Sequence, residues 1–133
     1  FAGFDVTVLV HTDMAGPHLV SSGSPEQHER WLPGVLAGET ILSIAVTEPD
    51  AGPDVAGIRT QGRREGDGWL LNGRKTFITG AAVAQHFILI ARTSDDTRKG
   101  LTALLFDRAQ PGLHIERRIP IMGPPEHGGP RAL

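Results

Sequence analysis

The sequence predicts an α+β protein: a helical segment over residues 1–40, followed by an antiparallel, β-barrel-like domain over residues 41–133. Three observations lead there. Apolar residues recur near helical spacing up to Gly38. Beyond it, short runs rich in Ile, Val, Leu and Phe alternate with turn residues at regular intervals. No G-x-G-x-x-G run opens a helix after a strand, so alternating βαβ units of the dinucleotide-binding kind are not indicated.

In the helical segment, Phe4, Val8, Val10 and Met14 are continued by Leu19 and Val20. Pro17 is expected to kink or divide this helix, and Gly23 to end it. Ser24-Pro25-Glu26-Gln27 then reads as a helix start: Ser24 at the N-cap, Pro25 at the first helical position, Gln27 closing a capping box. Such a cap contributes about 1 kcal/mol. Trp31, Leu32 and Leu36 supply the next apolar face, interrupted by Pro33, and Gly38 closes the helix.

Strands are expected near 41–46, 57–65, 69–72, 74–80, 85–92, 101–107 and 113–119. Gly66-Asp67-Gly68, Asn72-Gly73, Gly80, Asp95-Asp96 and Pro111-Gly112 punctuate them. Asn72-Gly73 is a hairpin signal, because both residues tolerate positive φ. Gly123 to Pro130 reads as a turn-rich loop.

A chain of 133 residues with 39% hydrophobic and 21% charged residues can bury a core and is not of disordered composition. Without cysteine, disulfides and thiolate metal sites are excluded. No apolar run approaches the ~20 residues that span a bilayer. No signal peptide opens the chain, and its Phe1 start and unpunctuated end suggest a fragment cut at both ends. The net charge of −2 argues against a nucleic-acid binder. Residues 1–40 carry five acids and one base, residues 41–133 ten acids and twelve bases. The mildly basic second part could attract an anionic ligand, although ordinary solvated arginines are the plainer reading.

Familiar catalytic patterns are few. The six histidines, His11, His18, His28, His86, His114 and His127, lack zinc-site spacing, and no metal site is expected. No serine stands in a nucleophile-elbow context. Glu48, Asp50 and Asp54 could be read as acid/base carboxylates. The preferred reading has them satisfying backbone N–H groups in a tight loop and answering nearby arginines. More telling are two segments, Val46-Thr47-Glu48-Pro49-x-Ala51-Gly52-x-Asp54 and Asn72-Gly73-Arg74-Lys75-Thr76-Phe77-Ile78-Thr79-Gly80. Each places a threonine, Thr47 or Thr79, at a strand end before a glycine-bearing turn. Their hydroxyls and adjacent N–H groups could cradle a flat hydrogen-bonding ligand, with Phe77 over one face, since a buried heterocycle needs its edge atoms paired.

These segments resemble motifs of the acyl-CoA dehydrogenase family. Gly23-Ser24-Pro25-Glu26-Gln27 through Leu32-Pro33 resembles its G-x-x-E-Q-x-x-x-x-L-P stretch. Thr47 to Asp54 resembles T-E-P-x-A-G-S-D, and Gly66 to Thr79 resembles G-D-x-x-x-L-N-G-x-K-x-F/W-I-T. Arg92-Thr93, Gly100-Leu101-Thr102-Ala103 and Pro111-Gly112 follow in family order, so the resemblance covers nearly the whole chain.

The resemblance implies the end of an N-terminal helical domain (1–40) and a middle β-barrel domain (41–133) that binds flavin and acyl-CoA. It implies FAD-dependent α,β-dehydrogenation of an acyl-CoA thioester in fatty acid metabolism: a carboxylate takes the α-proton while the β-hydrogen leaves as hydride to flavin N5. Carried over by position, Ile44, Ala45, Val46 and Thr47 line the flavin ring, with Thr47 on its pyrimidine part. Phe77, Ile78 and Thr79 sit on the other part, with the Thr79 hydroxyl near N5. Val46 and Pro53 border the substrate. Phe77 stands where many relatives have Trp. Pro53 replaces the motif serine and has neither hydroxyl nor N–H, which implies weaker binding by about 1 kcal/mol per lost hydrogen bond. Gly80, where Asn is common, is a turn difference. The family's catalytic glutamate comes from a C-terminal domain beyond this chain, so no catalytic residue is expected here and the fragment alone should not turn over. The resemblance further implies an electron-transfer flavoprotein as acceptor, a homotetramer or homodimer, and an intracellular site, bacterial cytoplasm or mitochondrial matrix. An acyl-CoA oxidase, or a non-catalytic lipid- or flavin-binding β-barrel relative, are the alternatives.

Overall fold

The computed structural model describes residues 2–120 and 131–132. Its first part is helical: α1 (Ala2–Leu9), a π-helical stretch (Val10–Ala15), α2 (Gly16–Ser22) and α3 (Pro25–Leu36). The division expected at Pro17 falls just before it. There the Gly16 N–H closes a wide turn on the His11 carbonyl, and Pro17 sits in the first turn of α2, where no N–H is needed. The wide turn also rotates the apolar face. Val10, Ala15 and Leu19 are buried, whereas Val8, Met14 and Val20, expected on that face, are exposed.

The start of α3 has the anticipated capping box. The Gln27 N–H donates to Ser24 Oγ at 3.2 Å, and the Ser24 N–H to Gln27 Oε1 at 2.9 Å. Trp31 and Leu32 pack inward around Val35. Leu36, expected on the same face, is 80% exposed, because Val35 continues both the Trp31 and Leu32 rows and the helix ends one residue later. Gly38 follows the helix at φ +72°.

The second part is a five-stranded sheet of β1 (Leu42–Ala45), β2 (Gln61–Glu65), β3 (Gly68–Asn72), β4 (His86–Arg92) and β5 (Leu101–Asp107). The short strands β6 (Arg117–Arg118) and β7 (Arg131–Ala132) pair with each other. The sheet is mixed and, among the described residues, does not close, which corrects the antiparallel barrel expected from sequence. β1 runs parallel to β4, from Leu42↔His86 to Ala45↔Leu89, and β2 joins β4 in parallel at Gln61↔Arg92. β5 lies antiparallel along the whole of β4, and β2–β3 is an antiparallel hairpin. The cause is the long excursion between β1 and β4: the chain leaves, makes the β2–β3 hairpin and returns beside β1 in the same direction.

Three strand boundaries also change. The strand expected at 57–65 begins only at Gln61, after a 3₁₀ turn (Val55–Gly57). The one expected at 113–119 is ordered into a ladder only at Arg117–Arg118. The one expected at 74–80 is not a strand, and Asn72-Gly73 is not its hairpin. A Cβ at Gly73 would lie 2.3 Å from Thr60 Oγ1, so the glycine lets this backbone pass tightly beside residue 60 instead of folding back. The stretch Gly123 to Pro130 lies outside the described residues.

β4 organises the core, as its near-continuous apolar sequence requires of a strand covered on both faces. Ile88 and Ile90 face Ala15, Leu19 and Val35 of the helices. Phe87, Leu89 and Ala91 face the opposite way, against Ile78, Ala81 and Ala84, and Phe87 stacks on Phe106 at 5.3 Å. His11 ties the layers: the Leu42 N–H donates to its Nδ1 at 3.0 Å, leaving Nε2–H for the Val35 carbonyl at 3.3 Å. No helix among the described residues is long and apolar enough to cross a membrane.

Candidate functional site

Where β1 ends, the chain runs through Val46-Thr47-Glu48 beside the segment Lys75 to Thr79. Three bonds stitch the two together, and a fourth ties the second segment to β1 itself. The Thr76 N–H donates to the Thr47 carbonyl at 2.8 Å. Lys75 Nζ donates to the Val46 carbonyl and to Glu48 Oε1, each at 2.8 Å. Ser43 Oγ donates to the Thr79 carbonyl at 2.6 Å. The two motifs singled out from sequence, about thirty residues apart, therefore form one ledge.

On this ledge Thr47 and Thr79 are half-buried, and among the described residues neither hydroxyl is taken by a protein partner. Phe77 is 59% exposed and adopts φ +58°, a conformation that bulky residues rarely hold. An exposed aromatic ring held in a strained backbone, beside two hydroxyls that take no partner among the described residues, can receive a planar polar group. Of the other expected residues, Val46 is half-buried at the ledge. Ala45 and Ile78 are buried in the core on the Phe87 side, whereas Ile44 packs toward the helices on the opposite face of the sheet, so these three side chains are turned inward on two different faces. Pro53 is exposed in the bend after the ledge, its carbonyl accepting from the Val55 N–H at 3.1 Å.

Glu48 is not a free carboxylate. It accepts from the Arg59 N–H (2.7 Å), the Thr60 N–H (2.9 Å), the Thr60 hydroxyl (2.5 Å) and Lys75. Burial pushes its pKa up, but the Lys75 ammonium, the Thr60 hydroxyl and the two backbone donors outweigh this and bring it down to about 2. Such a group is a fixed anion and no proton acceptor. The carboxylate was expected to answer arginines; its partner is Lys75, whose own pKa burial lowers against the pull of Glu48. Asp50 does face an arginine, Arg59, at 3.8 Å on the surface. Among the described residues, no three His, Cys, Asp or Glu side chains gather as a metal site.

Sequence reading missed Ser43, Lys75 and Arg108. A lone serine inside Ile41-Leu42-Ser43-Ile44 was the available signal for the first. Arg108 Nη1 donates to the carbonyls of Ala81, Ala82 and Ala84 and so clamps the turn that follows Thr79. A cleft of about 730 Å³ opens along Trp69, Leu71, Leu104, Phe106 and Leu113 and reaches Thr60 and Lys75 behind the ledge; none of the residues expected at the site lines it.

Residues 43–128 match the family described as acyl-CoA dehydrogenase, middle domain, and residues 1–39 match acyl-CoA dehydrogenase, N-terminal domain. The mitochondrial long-chain specific acyl-CoA dehydrogenase of Mus musculus is 36% identical over 117 residues, which is 86% of this chain and 27% of that protein. The crystal structure of an acyl-CoA dehydrogenase from Geobacillus kaustophilus superposes with a TM-score of 0.89 at 34% identity, covering 96% of this chain and 34% of that one. The structure titled "FAD complex of PigA" superposes with a TM-score of 0.91 at 30% identity, covering 98% and 34%. The chain thus spans about a quarter of the length of the curated relatives it matches. Matched along its helices and its sheet, the chain belongs to the acyl-CoA dehydrogenase family.

Proposed function

We propose that the protein is an FAD-dependent acyl-CoA dehydrogenase and that these residues supply its flavin ledge, residues 1–40 ending a helical domain and residues 41–133 belonging to the middle β domain. FAD, when bound, accepts the substrate's β-hydrogen as hydride while a carboxylate removes the α-proton. The observation that carries the reading is the joining of the Thr47 and Thr79 loops, with both hydroxyls unpartnered among the described residues and Phe77 exposed at positive φ. Two such hydroxyls can pair edge atoms of a flavin, and Phe77 can cover one of its faces.

In this reading Val46 and Thr47 border the ring on one side, Phe77 and Thr79 on the other, with Ile44, Ala45 and Ile78 lining it through their backbone while their side chains anchor the two segments in the core. Val46 and Pro53 border the acyl-CoA. With Glu48 locked as an anion, the proton acceptor is assigned to a carboxylate outside these residues, and the fragment alone is inactive. An electron-transfer flavoprotein as acceptor, a homotetramer or homodimer, and an intracellular location complete the proposal.

A visible spectrum of the full-length protein, before and after anaerobic addition of acyl-CoA thioesters of several chain lengths, tests it. The expected result is a bound flavin band that bleaches. Flavin that stays oxidised with every thioester would refute the substrate, and absence of flavin would refute the reading as a whole.

A further inference from the structure

Ser43 is a polar residue with no solvent exposure on a strand whose neighbours are apolar. A buried hydroxyl is costly unless it is bonded, and among the described residues this one has a single use, the 2.6 Å bond to the Thr79 carbonyl. Thr79 precedes Gly80, whose φ of +78° reverses the chain into the next turn. Within that turn the Val83 and Ala84 N–H groups both go to the Gly80 carbonyl, at 2.9 Å, and the Ala81 N–H reaches the Ile78 carbonyl at 3.4 Å. Among the described residues no backbone N–H reaches the Thr79 carbonyl. Beyond Thr79 the turn is clamped by Arg108 through the Ala81, Ala82 and Ala84 carbonyls. Thr79 thus lies between two anchors, and its peptide is set by the Ser43 hydroxyl, delivered from the rigid β1–β4 ladder.

We propose that Ser43 is a positioning residue: through the Thr79 carbonyl it fixes the direction of the Thr79 hydroxyl toward the flavin, and so couples the central sheet to the cofactor. The inference rests on the flavin reading above. Without the Ser43 bond the Thr79 peptide can rotate, and the hydroxyl it carries loses its aim.

The test is a double-mutant cycle in the full-length protein, titrating deflavinated protein with FAD and recording the visible band of the complex. Ser43→Ala should weaken FAD about fivefold, the effect of one ordinary hydrogen bond, and shift the flavin band. In a Thr79→Ala background, which keeps the carbonyl but removes the hydroxyl, the same substitution should change neither affinity nor band further. Equal effects in both backgrounds, or no effect in either, would overturn the proposal, because a merely structural serine acts whether or not the hydroxyl is present. Should Ser43→Ala not fold, Ser43→Cys, similar in size with a weaker donor, should show a smaller change in the same direction and the same loss of effect without the Thr79 hydroxyl. A wild-type protein that binds no FAD would overturn the flavin reading itself, a failure distinct from a flavoprotein indifferent to Ser43.

Discussion

Lys75 Nζ lies 2.8 Å from Glu48 Oε1, with side chains only 2% and 6% exposed, directly behind the ledge that bears Thr47 and Phe77. Replacing a buried ion pair by apolar residues is often harmless. Here it should not be, because Glu48 also holds the Arg59 and Thr60 N–H groups and the Thr60 hydroxyl. Lys75→Met leaves the carboxylate three donors and should cost about 3 kcal/mol. Glu48→Leu leaves the ammonium only the Val46 carbonyl and strands two backbone donors, and should cost more; the double variant, which removes the ammonium but still strands those donors, should fall between Glu48→Leu and the parent. Urea unfolding of the four proteins measures the order; a double variant as stable as the parent would refute it.

The same pair sets an acid limit. Glu48 has its pKa depressed from 4.5 to about 2 in the folded state. The unfolded chain therefore binds the extra proton first as pH falls, and the contribution of Glu48, complete above about pH 4.5, is lost on the way down to about pH 2. Its size is about 3 kcal/mol. Lys75 is charged in both states across this window and adds no slope. In Glu48→Gln the fall of unfolding free energy between those pH values should be shallower by that amount. Parallel curves for the two proteins would contradict the assignment.

Local signals were legible where local chemistry decides. The Ser24–Gln27 capping box, the β2–β3 turn at Gly66-Asp67, and β4 and β5 all stand where their residues put them. The parallel return of β4 beside β1 is a long-range choice that no turn residue announces. Residues 74–80 alternate like a strand, yet Lys75 is drawn inward by Glu48 and Phe77 is turned to positive φ, so tertiary contacts overrode the pattern. Thr47 and Thr79 were visible as candidates. Ser43 and Lys75, which hold their loops, were not, because only the folded chain brings residues 43 and 79, or 48 and 75, within bonding distance.

Pro53 stands exposed in the bend beyond the ledge, and Val55 uses only its carbonyl. Pro53→Ser keeps that carbonyl and adds a hydroxyl and an N–H toward ligand. Acyl-CoA affinity should rise about fivefold for one added hydrogen bond, while stability falls by about 0.5 kcal/mol as the unfolded chain gains freedom. Titration of the oxidised full-length protein with a non-oxidisable acyl-CoA analogue reads the first effect. Unaltered affinity would show that residue 53 does not border the substrate.

Phe77 separates what the fold wants from what the site wants. Its φ of +58° is unfavourable for a residue with a Cβ, by about 1–2 kcal/mol, and its ring is 59% exposed, so little burial repays the strain. Phe77→Gly removes the strain, loses the modest ring contact and gives the unfolded chain more freedom, changes of about 1 kcal/mol each that nearly cancel. Phe77→Ala loses the ring and keeps the strain. The glycine variant should therefore be more stable than the alanine variant by about 1 kcal/mol, reversing the ordinary preference, while both lose the covering ring and bind FAD about tenfold more weakly. Unfolding of the flavin-free proteins and FAD titration give the two readouts independently. Equal stability of the two variants would remove the strain, and undiminished flavin binding in both would take Phe77 off the flavin.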